Sequence, residues 1–171
     1  TVAAGLATSI ALALAGCVSS SNVSLPASVA SGLQYSAITV DVSPLRAKGL
    51  TDCATIIQQA TAAKLASEFA DRRTTARNGA TLQVVISGVT LTSFVGGEGG
   101  NLPFDGGGNN DYLEGDAYVL SANGEILAKQ HILLALPAAT SGAWYLPDID
   151  QLRLVTLSQN FARWVKSYFK G

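Results

Sequence analysis

The 171-residue chain holds a single histidine, two cysteines and only 13% charged residues, with a formal net charge of -1. Each scarcity excludes a chemistry. One imidazole, His131, rules out a multi-histidine metal site and leaves any Ser/His/Asp arrangement with one base to draw on. A near-neutral balance with no clustered basic surface lacks a nucleic-acid footprint, so no nucleic acid is expected as a partner. The charges present are uneven. Glu98, Asp105, Asp111, Glu114, Asp116 and Glu125 follow one another with no Lys or Arg between them, while the last segment carries Arg153, Arg163, Lys166 and Lys170. One end of the domain is therefore expected to be acidic.

The first Lys or Arg is Arg46, and Val2 to Ala15 is an uncharged run dominated by Ala, Leu, Ile and Val. Its length suits the apolar region of a secretory signal and falls short of the ~20 residues of a spanning helix. Leu14-Ala15-Gly16-Cys17 closes the run and resembles the lipobox of bacterial lipoproteins. The resemblance implies a signal peptide over residues 1–16, with Thr1 and the missing basic start pointing to N-terminal truncation. It also implies that Cys17 becomes the first residue of the mature protein, carries thioether-linked diacylglycerol and is N-acylated with a chain such as palmitate. Two or three acyl chains at roughly 0.8 kcal/mol per buried methylene make a stable membrane anchor. Val18 stands where an aspartate would signal inner-membrane retention, so the expected address is the cell envelope, at the periplasmic face of the outer membrane. With Cys17 lipidated, Cys53 has no disulfide partner and reads as a small half-buried residue in the first turn of a helix.

Beyond Cys17, the Ser- and Ala-rich stretch to residue 35 has the composition of a flexible tether. Residues 36–171 then form one globular domain. Ala37 to Val42 alternates as a strand stopped by Pro44. Asp52 is placed to cap a helix from Cys53 to about Arg77, with Ala54, Ile57, Ala62, Leu65, Ala66 and Phe69 as its apolar stripe. Thr81 to Val95 is β-rich, and its apolar phase slips after Ile86, which predicts a bulge near Ser87-Gly88. Asn123-Gly124 between two alternating runs predicts a hairpin with a two-residue turn. That hairpin puts Leu113, Ala117, Val119, Ala128, Ile132 and Leu134 on a core face, and Asp116, Tyr118, Lys129 and His131 on a wet one. Asp148 or Asp150 opens a last helix to Phe169, with Leu154, Leu157, Phe161, Trp164, Val165 and Tyr168 as its apolar face. The order β-α-β-β-β-α indicates an α+β fold, a single antiparallel sheet of about four strands with two helices packed on one face.

Few residues carry a chemical signature. The glycine-rich stretch from Gly96 to Asp111 lacks a lysine and does not open a helix, so it is not a phosphate cradle. Gly106 to Leu113 looks like one repeat of the glycine-aspartate nonapeptides of the RTX type, which marks Asn109 and Asp111 as calcium candidates. Only two degenerate copies are present, and no metal or cofactor is expected. His131 opposite Asp116 looks like a catalytic dyad, and Glu114 with Asp116 like a glycosidase carboxylate pair, although nothing else builds a sugar cleft. Trp144, Tyr145 and Phe104 are the candidate interaction residues, because loop aromatics present area at low entropy cost. The layout after the lipobox resembles that of small envelope lipoproteins, including the auxiliary lipoproteins of envelope transport and assembly machines. It implies a membrane-anchored, non-catalytic role in binding, scaffolding or transport assistance, with an envelope protein as partner. The alternatives are an envelope hydrolase using His131 with Asp116, and a carrier of a small hydrophobic ligand.

Overall fold

The structure is a computed structural model that describes residues 22–93, 110–143 and 145–169. The chain runs through helix α1 (Ala27–Gly32), strand β1 (Tyr35–Asp41) and helices α2 (Ser43–Ala47) and α3 (Thr51–Glu68). Strands β2 (Ala80–Thr90), β3 (Asn110–Leu120) and β4 (Ile126–Pro137) follow, and helix α4 (Ile149–Phe169) comes last. The strands form one four-stranded sheet in the order β1-β2-β3-β4. This is the expected α+β fold with one difference: β1 runs parallel to β2, while the β2–β3 and β3–β4 pairs are antiparallel. The sheet is mixed because α2 and α3 carry the chain back to the end of the sheet where β1 began, and a helical crossover joins strands of the same direction.

The period of two along the strands sorts the core. Leu82, Val84 and Ile86 of β2, Leu113, Ala117 and Val119 of β3, and Ala128, Ile132 and Leu134 of β4 are all buried. They share one cluster with Ala54, Ile57, Leu65 and Phe69 from α3 and its end, and with Leu154, Leu157, Phe161 and Val165 of α4. Burying each large aliphatic or aromatic side chain contributes roughly 1.5–3 kcal/mol. The phase slip in β2 is real. Ile86 pairs with Gly115 and Gly88 with Glu114, so Ser87 is the bulged residue. Gly115 takes a core-facing position beneath α4. A Cβ there would stand 2.4 Å from the carbonyl oxygen of Val85 and 3.2 Å from Cζ of Phe161. Only glycine lets Phe161 seat against the sheet at that point.

The β3–β4 hairpin keeps the expected core register, with Asp116 opposite His131 and Leu113 opposite Leu134. Its turn is different. The Gly124 amide donates to Ser121 O at 3.0 Å, and of the residues in this loop Gly124 alone has positive φ, at 84°. The loop is thus a type I turn closed by a left-handed glycine, and a bulge between Val119 and Leu120 returns the strands to the pairing a two-residue turn would have set.

Both long helices depart from expectation in detail. Leu50, not Asp52, occupies the N-cap of α3; Asp52 sits in the first turn, where its charge faces the positive end of the helix. The helix ends at Phe69 instead of near Arg77, because Phe69 turns into the core and stacks edge-on against Tyr35 at 5.3 Å. Ala62 and Ala66 are exposed, and Thr61 takes the buried place between Ile57 and Leu65. On α4, Trp164 and Tyr168 lie outside the core at 45% exposure each, and Ser158, Ala162 and Phe169 fill the inner arc.

The Ser- and Ala-rich stretch is also not a free tether from Asn22 onward. Val23 and Lys129 exchange backbone hydrogen bonds of 2.8 and 2.9 Å, and Asn22 Oδ1 accepts from the His131 amide at 2.9 Å. Ala30 is buried, and Leu25 and Leu33 pack against the core. Arg72 Nη1 donates to both Ala30 O and Phe169 O at 2.9 Å, tying α1 to the C-terminal end of α4. Scattered apolar residues in a polar composition are enough to dock the segment. Among the described residues, no helix is long and apolar enough to cross a membrane.

Candidate functional site

Because α3 and α4 cover one face of the sheet, the even-numbered residues of β3 and the odd-numbered ones of β4 project from the other. This open face brings together Glu114, Asp116 and Tyr118 with Lys129, His131 and Leu133. His131 Nδ1 lies 3.1 Å from Asp116 Oδ1, and its Nε2 lies 3.5 Å from Glu114 Oε1. Tyr118 donates its hydroxyl to Asp116 Oδ2 at 3.3 Å. Lys129 Nζ stands 3.9 Å from Asp116 Oδ1 and 5.4 Å from the centre of the Tyr118 ring. All these groups are partly solvated. The sequence-derived dyad is therefore assembled, with a carboxylate at each imidazole nitrogen. A neutral imidazole offers one donor and one acceptor, so only the protonated ring donates to both carboxylates. No hydroxyl or thiol among the described residues hydrogen-bonds to the ring. The cluster thus presents carboxylates, an imidazole, a phenol and an ammonium side by side on the open face.

At one end, the open face continues into a surface groove of about 380 Å³ lined by Lys48, Leu50, Gly88, Thr90, Tyr112 and Leu133. Lys48 Nζ donates to Ser87 O at 2.7 Å, so the β2 bulge presents the carbonyl that fixes this lysine. A second groove, of about 510 Å³, lies on the outer side of α3 and α4 between Ile56, Ala60, Ala63, Lys64, Val155 and Gln159. Between sheet and helices, where a hydrophobic ligand would sit, the side chains of the core cluster are in place.

The second polar constellation is buried. Arg153 of α4 grips Asp111 of β3 in a two-pronged ion pair: Nε donates to Oδ2 at 2.8 Å and Nη2 to Oδ1. Nη2 also donates to Thr92 O at 2.7 Å, and Nη1 to Asp150 Oδ1 at 2.9 Å. The Thr92 amide donates to Asp111 Oδ1 at 3.0 Å, and its hydroxyl to Asn110 O at 2.6 Å. The Asp111 carboxylate and neighbouring Asp150 hold the Arg153 guanidinium more firmly protonated than usual, against the opposing effect of burial. This network clasps the end of β2 to the start of β3 and binds both to α4.

Asp111, a calcium candidate in the sequence, thus has both carboxylate oxygens engaged by Arg153. Among the described residues no group of three or more His, Cys, Asp or Glu is placed to hold a metal ion. The other calcium candidate, Asn109, lies outside the described residues, as do Cys17, Phe104 and Trp144. Tyr145 is exposed before α4. Cys53 is a free, half-buried thiol in the first turn of α3. Arg153 was missed by motif reasoning, although a signal for it exists. It falls on the inner arc of α4 with Leu157 and Phe161, and Asp111 shares the core phase of Leu113 and Ala117, so two opposite charges occupy positions that otherwise hold apolar residues. Comparison of the chain with protein-family models, with curated proteins and with solved structures gives no match.

Proposed function

We propose that the protein is a lipid-anchored lipoprotein of the cell envelope whose domain is a non-catalytic binding module, in a scaffolding or transport-auxiliary role. The open face of the sheet receives an envelope protein partner. The observation that carries this reading is the one-sided sheet: α3 and α4 bury one face, while the other presents a flat, half-solvated mixture of Glu114, Asp116, Tyr118, Lys129, His131 and Leu133. Tyrosine and partly desolvated charges on a rigid surface are the groups that anchor protein interfaces. The anchor is tested by metabolic labelling with palmitate, which labels the protein and fails to label Cys17→Ala. The binding face is tested by photo-crosslinking amino acids at Gln83 and Tyr118 in membranes, with Ala63 on the outer side of α3 as control. A discrete protein adduct at the first two positions and none at the third is expected; no adduct at Gln83 and Tyr118 overturns the reading.

A second reading, an envelope hydrolase, is favoured by the 3.1 Å contact between His131 and Asp116. Under it, His131→Ala abolishes hydrolysis of ester or amide substrates without loss of folding. Under the binding-module reading, the same variant changes only partner affinity.

A further inference from the structure

Cys17 lies five residues before Asn22, and Asn22 is the first described residue fixed to the domain. The fixation is redundant. It consists of the Asn22 side chain on the His131 amide, the two backbone hydrogen bonds between Val23 and Lys129, the buried Ala30 and the Arg72 bond to its carbonyl. Whatever their conformation, five residues reach at most about 17 Å. A domain of this size is roughly 38 Å across, taking the usual scaling of radius of gyration with length. A tether running to residue 35 would reach about 60 Å and leave every orientation open. The docked segment narrows that freedom, because the chain departs from the outer edge of β4 on a leash shorter than the domain is wide.

We infer that the anchored domain is held with the β4 edge toward the bilayer, so that Ile126, Lys129, His131 and Leu133 line the side nearest the lipid headgroups. The inference rests on lipidation of Cys17. The chemistry of that side suits an interface between water and lipid. Leu133 and Ile126 are exposed at 56% and 57%. The β1 edge lies three strand spacings away, about 14 Å, on the far side of the sheet. With one edge toward the membrane, the open face points along it, toward proteins in the same bilayer, and not into the periplasm.

The test separates this geometry from lipidation in cells by imposing the anchor chemically. The chain from residue 17, with Cys53→Ala, is coupled through Cys17 to a maleimide lipid in nanodiscs, and a fluorescent amino acid is introduced by codon suppression at position 133 or at position 39 on the exposed side of β1. Lipids with nitroxide headgroups are expected to quench the probe at 133 several-fold more than the probe at 39. A long Gly/Ser insertion between Ser21 and Asn22 is expected to make the two equal. Equal quenching with the native spacing overturns the inference, and so does a bias that survives the insertion, because the short leash would then not be its cause. Failure of palmitate labelling of the native protein overturns the lipoprotein reading instead and leaves the nanodisc result standing.

Discussion

Replacing Arg153 by methionine tests the buried network directly. Methionine keeps the unbranched stem and the volume, so packing against Leu157 and the end of β2 is largely preserved while the guanidinium is lost. Its side chain is 2% exposed and that of Asp111 is 3% exposed. After Arg153→Met, the Asp111 carboxylate stays buried with, among the described residues, only the Thr92 amide, at 3.0 Å, as donor. Leaving one member of a buried pair uncompensated costs about 3–5 kcal/mol, against a total stability of roughly 5–15 kcal/mol for a domain of ordinary size. The variant should therefore unfold at a markedly lower urea midpoint with an unchanged slope. Asp111→Leu alone should also destabilise, but by less, because Asp150 still serves Nη1 and the Thr92 carbonyl still accepts from Nη2. The double variant Asp111→Leu, Arg153→Met should recover to within about 1 kcal/mol of the parent, because an apolar pair carries no desolvation penalty. The coupling in this cycle should exceed about 2 kcal/mol. Urea unfolding followed by far-ultraviolet circular dichroism measures all four proteins. A cost below 1 kcal/mol for Arg153→Met, or single costs that simply add in the double variant, would refute the argument that the pair is held together by mutual compensation.

Three further outcomes follow from the core. Gly115→Ala sets a methyl group against the Val85 carbonyl and under Phe161, so it should destabilise by about 1–3 kcal/mol, as read by thermal unfolding. Thr61 is fully buried in α3 with its hydroxyl unpartnered among the described residues, so Thr61→Val, which keeps the shape, should be neutral or stabilising by up to about 1 kcal/mol in the same assay. The Tyr35 hydroxyl is buried with no hydrogen-bond partner among the described residues, and desolvation pushes its pKa up to about 12, with Arg72 opposing the rise. Because an unfolded tyrosine ionises near 10, the folded state keeps the proton longer. Its contribution to stability is complete below pH 10 and is lost as pH rises from 10 toward 12. Absorbance at the tyrosinate band should show one tyrosine titrating late, and Tyr35→Phe should remove that component.

What could be read from the sequence followed from periodicity. The two-residue alternation of β2, β3 and β4 named the buried side chains, and the slip after Ile86 located the bulge at Ser87, because an inserted residue is the only way to change phase within a strand. The cross-strand position of His131 opposite Asp116 followed from the same alternation and the Asn-Gly signal, although the turn itself forms differently. Less of α3 was legible. Its alanines spread around the helix, so the inner stripe through Thr61 could not be told from the outer one through Ala62 and Ala66. The end of that helix was misplaced for a tertiary reason: Phe69 is drawn onto Tyr35, a contact across 34 positions that no local signal encodes. The parallel pairing of β1 was within reach, since a helix between two neighbouring strands implies it. The Arg153–Asp111 pair was within reach too, as two charges in core phases. Docking of Val23 to Gly32 was not, because its apolar residues are too few and too irregular to form a pattern.

That docked segment joins the fold to the proposed function through the problem of sheet edges. A free edge offers unpaired amides to any passing strand, and proteins cover or interrupt it. The β1 edge is covered locally: Gln58 donates to Val40 O at 3.0 Å, and the Thr74 amide donates to Tyr35 O at 3.1 Å. On β4, Val23 pairs with Lys129 and Asn22 takes the His131 amide, while Pro137 removes a donor at the far end. Between them the outward amides of Leu133 and Ala135 meet no partner among the described residues. If the lipid anchor holds this edge against the bilayer, the headgroup region screens it from other strands, and the edge needs no further protein cover. A soluble form cut free at Asn22 should then self-associate more readily than the anchored protein. Sedimentation velocity of that form, with Leu133→Lys as the charged control, measures the difference; a monomeric soluble form that Leu133→Lys leaves unchanged would show that β4 is protected without the membrane.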